Sequence, residues 1–331
     1  MKTKNSEITL GNNVAESRKA ALLTRLSSDK LTVLDGAIGS ELQQRGVPMN
    51  DNAWCGMANT SHSDVVLSMH EDYIRAGCDI ITTNTFATAR HVLELTTLKD
   101  RVREVNEQAV SLAKDARQKF RDRDILIAGS MSCMPGMGAT RLPSDEQAFE
   151  NYQEQAQILA SSGVDFILCE ELVTVDNARV ILRAAKATGL PVFAGFSAQM
   201  SKGGKLVNKS LGALTEGCDD TPLEQLVMEA MTIGGDAAGI MHTSVETIAP
   251  SLEVLKTVWS GPTYCYPESG MSKYPNWDFV HTIGPDEFAG QAEVWIRAGA
   301  KMLGGCCGTG PEHISALVQE ITRLSQTSPP S

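Results

Sequence analysis

The sequence lacks the features that mark membrane, secreted and nucleic-acid-binding proteins. No apolar run approaches the roughly 20 residues that a membrane-spanning helix needs. Residues 1–15 are polar and contain no apolar signal core, which argues against secretion. The formal net charge of −11 argues against binding to a phosphate backbone and mildly favours a cationic small molecule. We therefore expect a cytoplasmic protein with small-molecule partners, no nucleic acid and no membrane, with a homo-oligomer as an open alternative.

The chain also lacks a disulfide framework and an obvious linker. Its eight cysteines are scattered through 331 residues, except for the adjacent pair Cys306-Cys307. Such a distribution suits a reducing compartment better than a cross-linked secreted fold. No charge run or low-complexity segment divides the chain, and 42% of its residues are hydrophobic, as in an ordinary globular protein. The length fits one large α/β domain or two smaller ones.

Short apolar segments alternate with helical segments along most of the chain. The predicted strands are 31–34, 78–83, 125–128, 164–169, 191–196, 236–241, 263–266 and 301–303. Eight strands separated by helices, including one long helix over 91–121, predict a (β/α)8 TIM barrel, an α/β fold. A doubly wound sheet is the alternative, but the turn over 35–40 lacks the glycine-rich pattern that such a sheet usually carries. We predict a single barrel domain over 16–324, between flexible tails at 1–15 and 325–331.

A barrel of this kind gathers its chemistry at the carboxyl ends of its strands. These ends carry Asp35, Asn84, Ser130, Glu170, Ser197, His242, Pro267 and Cys306-Cys307. Two loops at the same face, 132–144 and 199–221, are long and contain glycines. Each loop is predicted either to be a lid or to be an ordinary surface loop.

The stretch Gly304 to Ile314 carries the strongest signal, because two adjacent cysteines lie in a glycine-lined turn after the last strand. Thr309 and Glu312 have the spacing of a capping box, and Pro311 suits the start of a helix. The cysteines have four interpretations: buried core residues, a strained vicinal disulfide, a redox pair or metal ligands. Paired soft ligands indicate zinc, but two ligands alone do not make a site.

Several stretches together resemble the zinc-dependent homocysteine S-methyltransferase family. This family includes the betaine- and S-methylmethionine-dependent enzymes and the substrate domain of cobalamin-dependent methionine synthase. The matching stretches lie at 34–39, 73–86, 164–170, 266–270 and 304–314, in the family's order. The resemblance implies a (β/α)8 barrel, a Zn²⁺ cofactor and methyl transfer to a thiol.

The resemblance also implies roles for individual residues. Cys306 and Cys307 match paired zinc ligands. Glu170 matches a carboxylate that holds the substrate amino group, and Asp35 with Gly36 matches a loop that helps to bind the amino-acid end. No catalytic residue beyond the metal site is implied.

Three positions depart from the family pattern. The family's third zinc cysteine, in an Asn-Cys pair, is replaced here by His242 in Met241-His242. Its Pro-Asn pair reads Pro267-Glu268, and a second acid, Glu171, follows Glu170. Imidazole is a good zinc ligand, so the resemblance predicts a metal site of His242, Cys306 and Cys307.

The resulting hypothesis is methyl transfer from an onium donor to the thiol of homocysteine or a close analogue. The acidic residues Glu170, Glu171 and Glu268 would attract a cationic donor. Trp54 and Tyr266 would offer aromatic faces to it, although plain packing is the alternative for each. The competing functions are methyl transfer with a different acceptor or donor, and a non-catalytic relative that only binds metal or an amino acid.

Overall fold

The computed structural model describes residues 20, 22, 24–26, 28, 30–135, 143–211, 215–217, 220–273 and 278–327. Twelve strands lie within these ranges: β1 Thr32–Val33, β2 Ile80–Thr82, β3 Leu126–Ser132, β4 Phe166–Leu172, β5 Val192–Phe196, β6 Ala198–Met200, β7 Leu206–Asn208, β8 Ala237–Ser244, β9 Thr263–Glu268, β10 Met271–Lys273, β11 Asp278–Val280 and β12 Met302–Leu303. The predicted tail 1–15, Met137 and residues 328–331 lie outside the described residues. The domain boundaries therefore remain predictions.

Eight of these strands form one parallel sheet that returns on itself. Their order is β1-β12-β9-β8-β5-β4-β3-β2. A parallel bridge between Leu34 and Ile80 joins the end of β1 to β2 and completes the ring. The predicted (β/α)8 barrel is confirmed, and each of its eight strands overlaps a predicted apolar segment. The remaining strands form two antiparallel hairpins, β6-β7 and β10-β11.

The α-helices whose two ends are both described are Gly39–Gln44, Ala58–Ser61, Ser63–Ala76, Arg90–Leu93, Val102–Gln118, Asp145–Ser162, Val175–Lys186, Leu223–Ala230, Val245–Val258, Pro285–Gly290, Ala292–Ala298 and Pro311–Thr327. The single helix predicted over 91–121 is wrong, because the chain leaves the helix after Leu93 and enters the next one at Val102. Thr96 Oγ1 donates to Leu93 O and accepts from Leu98 N. The hydroxyl thus bonds a carbonyl and an N–H that would pair with other backbone groups in a continuous helix. None of the described helices is both long and apolar enough to cross a membrane.

The alternation of side chains along the strands builds two separate apolar layers. Phe166, Phe193 and Tyr264 belong to the cluster that fills the barrel interior. Ile167 and Ala194, one residue further along their strands, belong to the larger cluster between the sheet and the helices. Because neighbouring residues point to opposite faces, every second residue at the top of each strand points into the barrel mouth.

Two strands break this alternation at their carboxyl ends. The register between β4 and β5 shifts between Cys169 and Leu172, and the register between β8 and β9 shifts between Met241 and Ser244. Within these bulges Glu171 has φ +59° and His242 has φ +46°, a backbone conformation that is uncommon for non-glycine residues. A bulge inserts one residue and re-aims the side chains that follow. The two bulges therefore turn toward the mouth two side chains that regular alternation would point away from it.

A buried histidine away from the mouth predicts a pH-dependent stability. His70, on the helix Ser63–Ala76, is fully buried, and neither ring nitrogen has a hydrogen-bond partner among the residues that the structure describes. Burial, with a smaller effect of Arg45, lowers the pKa of His70 to about 4. The unfolded chain then binds a proton near pH 6.5 that the folded chain does not, so stability falls as the pH drops below that value.

We expect His70→Met to remove this contribution. The free energy of unfolding of the parent should fall by about 1 kcal/mol more than that of the variant between pH 7 and pH 5.5. Urea unfolding at the two pH values measures the difference. Equal pH dependence in the two proteins would show that His70 is not the responsible group.

Candidate metal centre

Three potential metal ligands converge at the barrel mouth. His242 comes from the bulge of β8, and Cys306 and Cys307 come from the turn after β12. One ligand atom from each of these residues lies within 4.8 Å of the others. His242 Nδ1 is 3.7 Å from Cys306 Sγ and 3.8 Å from Cys307 Sγ, and the two sulfurs are 3.8 Å apart. A sulfur separation of 3.8 Å excludes a disulfide bond in this structure, since bonded sulfurs lie about 2.05 Å apart.

These separations suit a single tetrahedral ion. With metal–sulfur bonds of about 2.3 Å and a metal–nitrogen bond of about 2.1 Å, two sulfurs lie about 3.8 Å apart and a sulfur and a nitrogen about 3.6 Å apart. Two thiolates with one imidazole are also a donor set that zinc favours. The residues present therefore fit the ion that the motifs imply, with one coordination position left for another ligand.

The opposite edge of the imidazole contacts a carboxylate. His242 Nε2, in the β8 bulge, lies 3.0 Å from Oε1 of Glu171, which belongs to the β4 bulge. When the imidazole is neutral, a hydrogen bond from Nε2–H to this oxygen leaves Nδ1 unprotonated and directed at the sulfurs, which is the usual arrangement behind a metal-ligating histidine. Glu171 therefore orients the imidazole, whereas the sequence predicted only that it attracts a cationic donor.

The charges and hydrogen bonds around His242 favour the protonated, positively charged form of its imidazole. Burial and the nearby Lys209 ammonium oppose this charge, but Glu171 and hydrogen bonds to Cys306 and Glu171 outweigh them and raise the pKa of His242 to about 10. The hydrogen bond with Cys307, followed by burial, raises the pKa of the Cys306 thiol well above its ordinary value. Because a metal must displace these protons, its affinity should increase with pH.

Substitution of Glu171 tests its orienting role. We expect Glu171→Ala to lower zinc affinity about 10–100-fold, the usual cost of losing such a partner. Glu171→Gln should lose less, because its carbonyl oxygen still accepts from Nε2–H. Both variants keep a non-glycine residue at the positive φ, so backbone strain is matched. Chelator competition measures the affinities, and parent-like affinity in Glu171→Ala would contradict the role.

The turn that carries the cysteines is held by its own neighbours. Thr309 Oγ1 donates to Cys306 O, and Gly308 N donates to Ser40 Oγ. The helix begins at Pro311, so Gly310 and not Thr309 occupies the N-cap position, and the predicted capping box of Thr309 and Glu312 is not formed. Gly310 precedes the helix that begins at Pro311, and its N–H donates to His313 Nδ1. The Thr309 hydroxyl stabilises the cysteine turn and not the helix.

Glu170 lies at the mouth as predicted, with its side chain buried. Ser130 Oγ donates to Glu170 Oε1, which joins the ends of β3 and β4. Burial raises the pKa of Glu170 to about 8, so the carboxylate gains from any cationic group placed beside it.

Asp35 is fully buried, and protein donors occupy both of its oxygens. Its Oδ2 accepts from Thr82 N at 2.6 Å, while Oδ1 lies 2.9 Å from Thr82 Oγ1 and 2.9 Å from the Tyr266 hydroxyl. Burial raises the pKa of Asp35 to about 7. These contacts tie together the ends of β1, β2 and β9 below the mouth.

Gly36 and Trp54 lie in the packing around the opening loop. A Cβ on Gly36 would lie 2.6 Å from Thr309 O, so only glycine lets this loop approach the turn that follows Cys307. The Trp54 ring packs edge-on against Phe86, with ring centroids 6.0 Å apart, and fills the space that a Cβ on Gly39 would occupy. These packing contacts give Gly36 and Trp54 a structural role, and the substrate-binding roles predicted for them remain predictions.

Glu268 lies beside the three potential ligands, with its Oε2 3.5 Å from His242 Nδ1. Its other oxygen, Oε1, accepts from Lys209 Nζ at 2.6 Å. Lys209 was not predicted from the sequence; it lies 59 residues earlier and enters the mouth from the segment after the β6-β7 hairpin. No motif marks this lysine; the only signal was the length of the loop over 199–221.

The fold and the site together define a class of protein: (β/α)8 barrels that carry sulfur and nitrogen metal ligands at the carboxyl ends of their strands. The sequence model of one family of this class, homocysteine S-methyltransferase, matches residues 32–321. This chain belongs to the homocysteine S-methyltransferase family, which confirms the resemblance seen in its motifs.

Individual relatives match nearly the whole chain. Homocysteine S-methyltransferase 4 of Zea mays is 27% identical over 317 residues, which cover 87% of this chain and 89% of that protein. Homocysteine S-methyltransferase YbgG of Bacillus subtilis is 26% identical over 321 residues, covering 91% and 98%. The structure of the homocysteine methyltransferase MmuM from Escherichia coli, in its metallated form, matches with a TM-score of 0.72 at 24% identity and covers 91% of this chain and 98% of that one. This last similarity supports the barrel fold.

Proposed function

We propose that this protein is a zinc-dependent methyltransferase that moves a methyl group from an onium donor to the thiol of homocysteine or a close analogue. The observation that carries the proposal is the convergence of His242, Cys306 and Cys307 on a volume the size of one ion, in a chain of this family. Zinc held by these residues would supply the ionisation of a bound thiol. Thiol chemistry of this kind suits the reducing conditions of a cytoplasm.

The chain's own residues would hold and orient the substrates. Glu170 is buried, carries a raised pKa and accepts only from Ser130 among the described residues, so its second oxygen is suited to the ammonium group of an amino acid. Asp35 and Gly36 shape the floor below it through their contacts with Tyr266 and Thr309. Glu171 accepts from His242 Nε2–H and so fixes the orientation of the His242 imidazole. Alignment of the two substrates, together with ionisation of the thiol, would account for most of the rate.

The reaction balances without an added oxidant or reductant. The thiolate sulfur forms a bond to the methyl carbon as the bond from that carbon to positively charged nitrogen or sulfur breaks. The electron pair of the broken bond stays on the leaving group, which departs as a neutral amine or sulfide. Buried carboxylates near the mouth favour a cationic donor over a neutral one.

A labelling assay tests the proposal. Purified zinc-loaded protein is incubated with homocysteine and a trideuteromethyl donor, using betaine, S-methylmethionine and a simple methylsulfonium in turn. We expect trideuteromethyl methionine from at least one donor, with matching loss of free thiol. If metal-loaded protein binds homocysteine and yields no methylated product with any donor, a non-catalytic role is correct instead.

A second candidate function is the same chemistry on another acceptor thiol. The ion pair of Lys209 with Glu268, next to the three ligands, favours a different acceptor thiol. The family pattern has a neutral asparagine at position 268, so the charges that face the substrate differ here. Running the assay with other small thiols, with and without a carboxylate, separates the two acceptors.

A further inference from the structure

Lys209 reaches the metal centre from a rigid support. The backbone N–H of Lys209 donates to Ser197 O at 2.9 Å, which ties it to the end of β5. The preceding residue, Asn208, is buried, and its side chain donates to Val173 O and accepts from Thr221 N. The backbone that carries the lysine side chain is therefore held in place. The Lys209 ammonium group donates to Glu268 Oε1 at 2.6 Å and to His242 O at 2.9 Å.

Glu268 is a potential competitor of the substrate thiol. Zinc accepts carboxylate oxygens at about 2.0–2.2 Å, and the three ligands leave one coordination position. Glu268 Oε2 is 3.5 Å from His242 Nδ1, so a small rotation of this side chain would bring an oxygen to an ion held there. The bond from Lys209 to the other carboxylate oxygen opposes that rotation.

We propose that Lys209 is a positioning residue that holds Glu268 off the metal and so keeps the fourth coordination position open to the thiol. This inference rests on the proposed function and identifies the residue that sets thiol affinity at the site. Without the lysine, Glu268 occupies the open position for part of the time, and the apparent affinity for the thiol falls by the fraction of protein that remains open.

The test compares Lys209→Met with the double variant Lys209→Met/Glu268→Gln. The double variant loses one positive and one negative charge, so its net charge equals that of the parent. Co²⁺-loaded proteins report the ligands directly, because each added thiolate increases the sulfur-to-cobalt absorption. Titration with homocysteine then gives a thiol Kd without turnover, and chelator competition gives the metal affinity.

We expect the thiol Kd of Lys209→Met to rise about 10-fold or more, corresponding to a site that is open one tenth of the time. Its metal affinity should stay equal to the parent's or increase. The double variant and Lys209→Arg should return to within about 3-fold of the parent. In turnover, the KM for the thiol should rise with little change in the KM for the donor.

Three results would overturn the inference. A parent-like thiol Kd in Lys209→Met would show that the lysine does not control the position. A double variant as weak as Lys209→Met would show that Lys209 acts on the thiol without Glu268. Loss of bound metal in Lys209→Met would show a structural role. If the parent itself binds Co²⁺ and its spectrum does not respond to homocysteine, the proposed function fails instead.

Discussion

Cys306→Ser is expected to abolish stoichiometric zinc binding and, with it, thiol methylation. The sulfur lies 3.7 Å from His242 Nδ1 and 3.8 Å from Cys307 Sγ, so its removal leaves two of three protein ligands. A serine hydroxyl is a poor replacement for a thiolate, which is the form that binds zinc. Metal content after gel filtration should fall from about one equivalent to almost none, with activity reduced about 1,000-fold or more.

A matched control separates this effect from the general loss of a thiol. Cys78→Ala removes a fully buried cysteine that precedes β2, at the opposite end of the barrel from the ligands. This variant should lose stability because a buried contact is removed, while its zinc content stays at one equivalent. Full zinc in Cys306→Ser, or equal loss of zinc in both variants, would be incompatible with the proposed ligand set.

His242→Ala and His242→Cys form the second pair with a large expected effect. Structural zinc binding is worth about 10–16 kcal/mol across a complete site, so one protein ligand accounts for roughly 3 kcal/mol. His242→Ala should therefore lower zinc affinity about 100-fold or more. His242→Cys supplies a third sulfur and should recover most of the loss. Chelator competition at fixed pH measures both affinities.

This pair controls for the unusual backbone at position 242. Both variants place a non-glycine residue at φ +46°, so strain from that conformation is common to them. A difference in zinc affinity then reports on the donor atom and not on folding. Equal affinity in His242→Ala, His242→Cys and the parent would mean that the imidazole is not a ligand.

The strand pattern could be predicted from the sequence because each barrel strand is a short apolar run bounded by turn residues. The paired cysteines could be placed at a strand end for the same reason. The split of the helix over 91–121 could not, since it depends on a local hydrogen bond of Thr96 that competes with the helix.

The orientation of the site residues could not be read from the sequence either. Strict alternation makes Met241 the inward residue of β8, and only the bulge turns His242 toward the cysteines. The same holds for Glu171 in β4. A bulge depends on the pairing of two strands far apart in sequence, so one strand's own pattern does not reveal it. Lys209 is a further example, because its contact with Glu268 arises from tertiary packing.

X-ray absorption at the zinc edge, recorded on metal-replete protein before and after addition of homocysteine, tests the proposed metal centre directly. We expect the protein to contribute two sulfurs at about 2.3 Å and one nitrogen at about 2.1 Å. A third sulfur should appear when the thiol is added. A first shell without paired sulfurs, or one unchanged by homocysteine, would contradict the claim that His242, Cys306 and Cys307 hold an ion that takes up the substrate thiol.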